Sequence, residues 1–186
     1  MKEARKMRLK RSDWLLLAAE IISKQGDAKL KINHLCERLD VTKGSFYAHF
    51  KNRNDFVEQF VDYWLKQFTR IVVTEIGVLA DEPAEARLFE LMRLINRKQL
   101  SKYDVAVRAW GSRDPIVARG VREADRMRFE FVREIFRDMG FRGPDLDLRT
   151  RLFVVFQSSY GAVQLPASGL DADEEIRLQH EFFIRA

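Results

Sequence analysis

The chain holds a single cysteine, Cys36, among its 186 residues. One cysteine excludes an internal disulfide and cannot build a cysteine-based metal site. Histidines number three and lie far apart, and His180-Glu181 has no second histidine at metal-ligand spacing, so a metal site is not expected. No stretch approaches the roughly 18 uncharged apolar residues that a membrane span needs. The start, Met1 to Arg11, is as basic as a signal peptide, but Glu20 and Lys24 interrupt the next segment before an apolar core of sufficient length forms, and a cytoplasmic location is expected. A glycine-rich phosphate loop and a Gly-x-Ser-x-Gly elbow are both missing. Nothing positive therefore points to an enzyme, and no cofactor is implied.

Glycine and proline are sparse too, at 9 and 4 residues, and between them the apolar residues recur at helical spacing. Leu15, Ala18, Ala19 and Ile22 form one stripe over 12–25, ended by Gly26. Ile32, Leu35, Cys36 and Leu39 predict a short helix over 32–39, followed by a break at Asp40-Val41. Thr42 is placed to cap a third helix running to about His49. Asn52 and Asp55 resemble a capping box for a fourth, which carries Phe56, Phe60, Trp64 and Phe68 to about Leu79. Pro83 at a first-turn position opens a fifth helix, and residues 102–111 form a sixth. Asp114-Pro115 caps and starts a seventh that runs to Met139, with Gly140 as its stop. An eighth covers 146–165 and ends before Pro166. Asp171 with Glu174 caps the ninth. Strand alternation is absent, and the β-branched run Ile71-Val72-Val73 stays in phase with the helical stripe before it. The prediction is all-α, about nine helices. It comprises a three-helix helix-turn-helix DNA-binding domain over 1–55 and a helical ligand-binding and dimerisation domain over 56–186.

Charge divides the same way. Residues 1–53 hold 13 Lys/Arg against 6 Asp/Glu, a net of +7, while the remainder holds 20 against 22, a net of −2. A basic first quarter on a mildly acidic body points to a polyanion partner at the amino-terminal end, or to a solubilising basic tail.

Residues 30–56 decide between these. Two short helices joined by a tight turn place the second in a DNA major groove by its amino-terminal end. Gly44 and Ser45, being small, let the backbone approach phosphate there, and free helix amides attract it. Lys43, Lys51 and Arg53 add positive charge, while Tyr47 and His49 add donors. Phe46 and Phe50, spaced i and i+4, read as core.

The string Val41-Thr42-Lys43-Gly44-Ser45-Phe46-Tyr47-Ala48-His49-Phe50, followed by Asn52-Arg53, resembles the DNA-binding signature of TetR-family repressors. Ala18-Ala19-Glu20-Ile21-Ile22 and Gly26 resemble the family's first helix, so the match spans about the first 60 residues. Arg108 through Asp114-Pro115 to Gly140-Phe141 resembles the ligand domain of some members. The resemblance implies an amino-terminal reading head and a carboxy-terminal domain for dimerisation and ligand sensing. It implies that Lys43 faces base edges with Thr42, Gly44 and Ser45 nearby, that Tyr47 and His49 hold phosphates or their edges, and that Arg53 clamps a phosphate. Three positions depart from the pattern. Lys31 replaces the usual capping threonine and cannot accept an amide hydrogen bond, although it can reach a phosphate. Cys36 replaces an alanine, and Arg53 replaces a lysine, which keeps the charge and permits a bidentate contact. The implied partners are a palindromic duplex operator, a second copy of the chain and an unidentified small-molecule effector.

In the carboxy-terminal part, Gln157, Ser158, Ser159 and Tyr160 stand amid Phe153, Val154, Val155 and Phe156. Polar groups in an apolar helix need partners, which a ligand pocket or a polar dimer face supplies equally well. The aromatic residues Phe89, Tyr103, Trp110 and Phe129 are candidates for core or for a ligand box. The pocket candidates are thus Phe89, Tyr103, Trp110, Gln157 and Tyr160. The charges Arg119, Arg122, Glu123 and Arg126 read as a solvated face. Two other functions stay open: an enzyme on a helical scaffold, and a helical interaction module without DNA binding.

Overall fold

A computed structural model describes residues 9–163, 166 and 168–185. The basic residues 1–8 and the expected end of the eighth helix at 164–165 lie outside them. The described residues contain helices and no strand. In chain order these are α1 (Arg11–Gln25), α2 (Ile32–Arg38), α3 (Lys43–Tyr47), and α4 over residues 53–77. They continue with α5 (Ala84–Arg97), α6 (Leu100–Gly111), α7 (Pro115–Asp138), α8 (Gly143–Ser159) and α9 (Ala172–Ile184). Helix α4 is one rod in three parts: Arg53–Leu65, a π-helical turn at Lys66–Arg70, and Ile71–Gly77.

Most expected boundaries hold because their caps form. Asn52 accepts the Asp55 amide at 2.9 Å, and Asp55 reaches back to the Lys51 amide at 2.7 Å, closing the box one residue earlier than usual. Asp114 accepts the Ile116 amide at 2.9 Å, with Pro115 in the first turn of α7. Asp171 accepts the Glu174 amide at 2.8 Å. The break after α2 is a Schellman turn. Asp40 takes a left-handed φ of 51°, and the Val41 amide donates to the Cys36 carbonyl at 3.0 Å.

Several expectations are corrected. Thr42 precedes α3 without a side-chain cap bond, and α3 stops at Tyr47 rather than His49. Past Tyr47, the His49 and Phe50 amides both bond the Phe46 carbonyl, at 2.9 Å and 3.0 Å, in a tight closing turn. Pro83 is the N-cap of α5, extended at ψ 139°, and not a first-turn residue. Helix α6 starts at Leu100, two residues early, where Gln99 in a left-handed conformation breaks the chain path. Helix α8 begins at Gly143 and gives way at Tyr160–Ala162 to a single 3-10 turn.

Two apolar cores follow. The first gathers Trp14, Ala18 and Ile22 of α1 with Leu35, Phe46, Phe50, and Phe56, Phe60 and Trp64 of α4. It also draws in Val107 and Trp110 of α6 and Val117 and Ala124 of α7, with Trp110 stacked 5.7 Å from Phe60. The second holds Val72, Leu88, Leu91, Met92, Val132, Phe136 and Phe153. Helix α4 contributes to both, so it connects the amino-terminal head to the rest of the molecule.

Candidate nucleic-acid interface and effector cavity

Helix α3 is only five residues long and contains Gly44 and Ser45, both poor helix formers. Packing, not propensity, holds it. Phe46 and Phe50 are buried in an aromatic nest, at 5.5 Å and 6.3 Å from Trp14 and at 5.4 Å and 4.9 Å from Phe56. Each such pair adds about 0.5–1.5 kcal/mol beyond area burial, so the nest fixes the orientation of α3. Opposite the buried rings, Tyr47 stands 55% exposed, its ring edge-on to Phe46 at 5.3 Å.

The other candidates fall on the same helix or just beside it. Thr42, Lys43 and Gly44 are exposed and Ser45 is half-buried. His49 is half-buried against Trp14, at 6.2 Å between rings. Lys51 and Arg53 are exposed on the turn into α4, which the Asp55 carboxylate anchors. Gln59 and the Lys51 amide both donate to that carboxylate and hold its pKa below the usual value. Lys31 is exposed at the start of α2 and makes no cap bond. Burial pushes the Cys36 thiol up, away from a reactive thiolate. His34 is half-buried, its Nδ1 3.8 Å from the Glu37 carboxylate.

Gly44 is informative for what does not surround it. Its φ is not positive, and a Cβ there would meet only the Thr42 hydroxyl at 3.5 Å, an ordinary contact. Nothing inside the fold requires glycine, whose presence in a helix costs about 1 kcal/mol against alanine.

A second feature lies in the carboxy-terminal part. A cavity of about 50 Å³ sits between α4, α5, α6, α7 and α8, with Val72, Leu91, Leu100, Phe131, Val132 and Phe153 among its walls. At one end is an ion pair of buried Asp104 with half-buried Arg128, joined through two guanidinium nitrogens, one bond measuring 3.0 Å. Arg128 Nε also donates to the Thr69 hydroxyl at 3.0 Å, and its Nη2 to the Phe68 carbonyl at 3.3 Å. Thr69 and Phe68 belong to the π-helical turn of α4, where one extra residue per turn perturbs the carbonyl ladder.

Gln157 lines this cavity and also a larger one of about 300 Å³ outside it, where Tyr160 lies. The Tyr160 hydroxyl donates to the Glu175 carboxylate, and this bond raises the tyrosine pKa. Phe89, Tyr103 and Trp110 line neither cavity. Phe89 packs on His180 at 5.2 Å, Tyr103 on Phe68 at 4.6 Å, and Trp110 belongs to the first core. Sequence reasoning missed Asp104, Arg128 and Thr69. The signal was there: Arg128 falls in phase with Val117, Ala124, Val132 and Ile135, and Asp104 with Leu100 and Val107, so both charges interrupt buried stripes. Among the described residues no cluster of three or more His, Cys, Asp or Glu residues suited to a metal comes together, and no helix is long and apolar enough to cross a membrane.

These features define, among the described residues, a helical protein with a helix-turn-helix at its amino-terminal end. Residues 15–60 match the family described as bacterial regulatory proteins, tetR family. No curated protein matches the chain. The whole fold recurs in several solved structures. A transcriptional regulator from Saccharomonospora viridis in complex with choline is similar at TM-score 0.73 and 18% identity, with 94% of each chain covered. The TetR-family regulator PfmR from Thermus thermophilus gives 0.70 and 19%, covering 92% of this chain and 96% of its own. AibR in complex with isovaleryl coenzyme A and operator DNA gives 0.71 and 16%, with the same two coverages.

Proposed function

We propose that this chain is a TetR-type transcriptional regulator that acts as a homodimeric repressor of a palindromic operator, relieved by a small molecule bound in the carboxy-terminal part. The observation that carries the reading is the exposed row Thr42, Lys43, Gly44, Tyr47, Lys51 and Arg53, set on an aromatic nest within the family's DNA-binding domain. Lys43 reads base edges, with Thr42, Gly44 and Ser45 against the groove. Tyr47, His49, Lys51, Arg53 and Lys31 hold phosphates. Because α3 has few aligned peptides and hence little dipole, side chains carry more of this contact than its amino-terminal amides.

One such head reads too few bases for a unique site, and a twofold pair reads two half-sites roughly 34–36 Å apart. A dimer face is supported by Leu148, Leu152 and Val155 of α8 and Leu178 and Phe182 of α9, all more than half exposed. A groove lined by Leu148, Leu152 and Phe182 joins the two stripes. Contiguous apolar surface of this kind marks an interface. The effector reading is supported by the cavity at the π-helical turn of α4 and by relatives of this fold that hold choline and isovaleryl coenzyme A. A ligand that prefers one arrangement of α4 shifts the spacing of the two heads and so releases DNA. Such a protein works in the cytoplasm, where its operator is.

Fluorescence anisotropy on specific and scrambled duplexes tests the contact roles. Tyr47→Phe and Arg53→Ala are expected to weaken binding on both duplexes, by about 1–3 kcal/mol for the loss of a charged contact. Lys43→Ala is expected to narrow the gap between them as well. Unchanged affinity in all three variants overturns the assignment, and a chain with no salt-dependent DNA binding is an interaction module instead.

A further inference from the structure

We infer that the start of the chain is a second DNA-contacting element, a basic arm that binds phosphates next to those held by α3 and the turn into α4; this rests on the DNA-binding reading above. Its charges are Lys2, Arg5, Lys6 and Arg8, continued by Lys10 and Arg11 at the edge of α1. Residues 1–11 hold 6 Lys/Arg and 1 Asp/Glu, a net of +5, while residues 12–53 hold 7 and 5, a net of +2. Most of the positive surplus of the first 53 residues therefore lies ahead of the helix-turn-helix and not in it. Residues 1–11 contain no Asn, Gln, Ser or Thr and no aromatic residue. Their polar chemistry is almost wholly positive charge, which suits the phosphate backbone.

The first turn of α1 fixes where this charge sits. Leu9 is half-buried against the first core. The Lys10 amide donates to the Asp13 carboxylate at 2.7 Å, which sets the angle at which the chain enters α1. The Arg11 guanidinium lies 6.0 Å from the centre of the Phe50 ring, within range of cation–π attraction. Trp14, one residue short of a full turn further on, lies 6.2 Å from the His49 ring and 6.3 Å from that of Phe50. The start of α1 is thus seated on His49 and Phe50, directly before Lys51, where the phosphate-holding side chains are assigned. Lys10 and Arg11 are themselves exposed. The eight residues ahead of Leu9 can span at most about 26–29 Å. That exceeds the roughly 12 Å width of a major groove, so their charges can reach phosphates beyond those of α3. A basic tail that only solubilises would add the same charge with no bearing on DNA, and the two roles differ in salt dependence.

The test is anisotropy titration of the full chain on a scrambled duplex over a range of salt, because phosphate contacts do not depend on sequence. The logarithm of the binding constant falls with the logarithm of salt by about 0.9 for each phosphate contact. Arg5→Gln with Arg8→Gln is expected to flatten that slope by about 2 for each protomer engaged, and Lys10→Gln with Arg11→Gln by a similar amount. Arg93→Gln with Arg97→Gln makes the same change of net charge on exposed residues of α5, in the body, and is expected to leave the slope as it is. The ratio of affinities for a palindrome enriched from random duplexes and for the scrambled duplex is expected to stay constant in both arm variants. Circular dichroism checks that each variant folds. If the loss of Arg11 from Phe50 unfolds the second pair, the first pair, which precedes α1, carries the test. Arm variants whose slope falls no further than that of the α5 variant overturn the inference and leave a solubilising tail. A changed affinity ratio means that the arm reads bases, and it overturns the phosphate assignment. A wild-type chain that binds no duplex at any salt overturns the DNA-binding reading itself, an outcome distinct from an arm that makes no difference.

Discussion

Gly44 and Phe46 lie two positions apart in α3 and answer to different demands. Phe46 is fixed by the fold, because Trp14, Phe50 and Phe56 enclose it. Gly44 is not, because neither its backbone angle nor its neighbours exclude a methyl group. Gly44→Ala is therefore expected to stabilise the isolated protein by about 0.5–1 kcal/mol in urea denaturation while weakening duplex binding in the same preparation. Loss of stability, or unchanged DNA affinity, removes the case for close backbone approach at this position. The sequence made such residues legible where side-chain period and chemistry agree: Phe46 and Phe50 at i and i+4 are buried, and Tyr47 between them is exposed. It hid Asp104 and Arg128, because a charge in a helix is ordinarily solvated. Here each charge is tolerated in a buried stripe only because the other, distant in sequence, meets it.

Among the elements, α4 spans both apolar cores. Its first part packs in the amino-terminal core, and its π-helical turn faces the cavity through Phe68 and Thr69. The crossing of α7 over α4 depends on Gly120, where a Cβ would lie 2.1 Å from a Val61 methyl. Valine is stiff at this bond, so the clash cannot be relieved by a simple rotation. Gly120→Ala is expected to destabilise the protein by about 1–3 kcal/mol, less about 1 kcal/mol regained from alanine's helix propensity. Adding Val61→Ala should ease the clash, so the double variant should fall short of the sum of its two single costs. Strict additivity in chemical denaturation would mean that the two helices do not meet there. Helix starts were readable from Asn52, Asp114 and Asp171 because a cap is a local bond between near neighbours. The π-helical turn was not readable, since Arg128 of α7 draws on Phe68 and Thr69 from about 60 residues away.

At the scale of the whole molecule, basic charge concentrates in the first 53 residues, and apolar surface is exposed on α8 and α9. A DNA-reading dimer accounts for both. Leu152→Glu with Phe182→Glu is expected to give a folded monomer in sedimentation equilibrium and to cost specific DNA affinity far more than non-specific affinity, because two half-sites are no longer read together. A variant that stays dimeric places the interface elsewhere.

The central claim is specific recognition of DNA by a twofold pair, and an in vitro selection from random duplexes, read by sequencing, tests it most directly. Enrichment of one palindrome, with half-sites about one helical turn apart, is the predicted result. No enrichment at low and moderate salt, repeated after refolding to strip ligand, would contradict it.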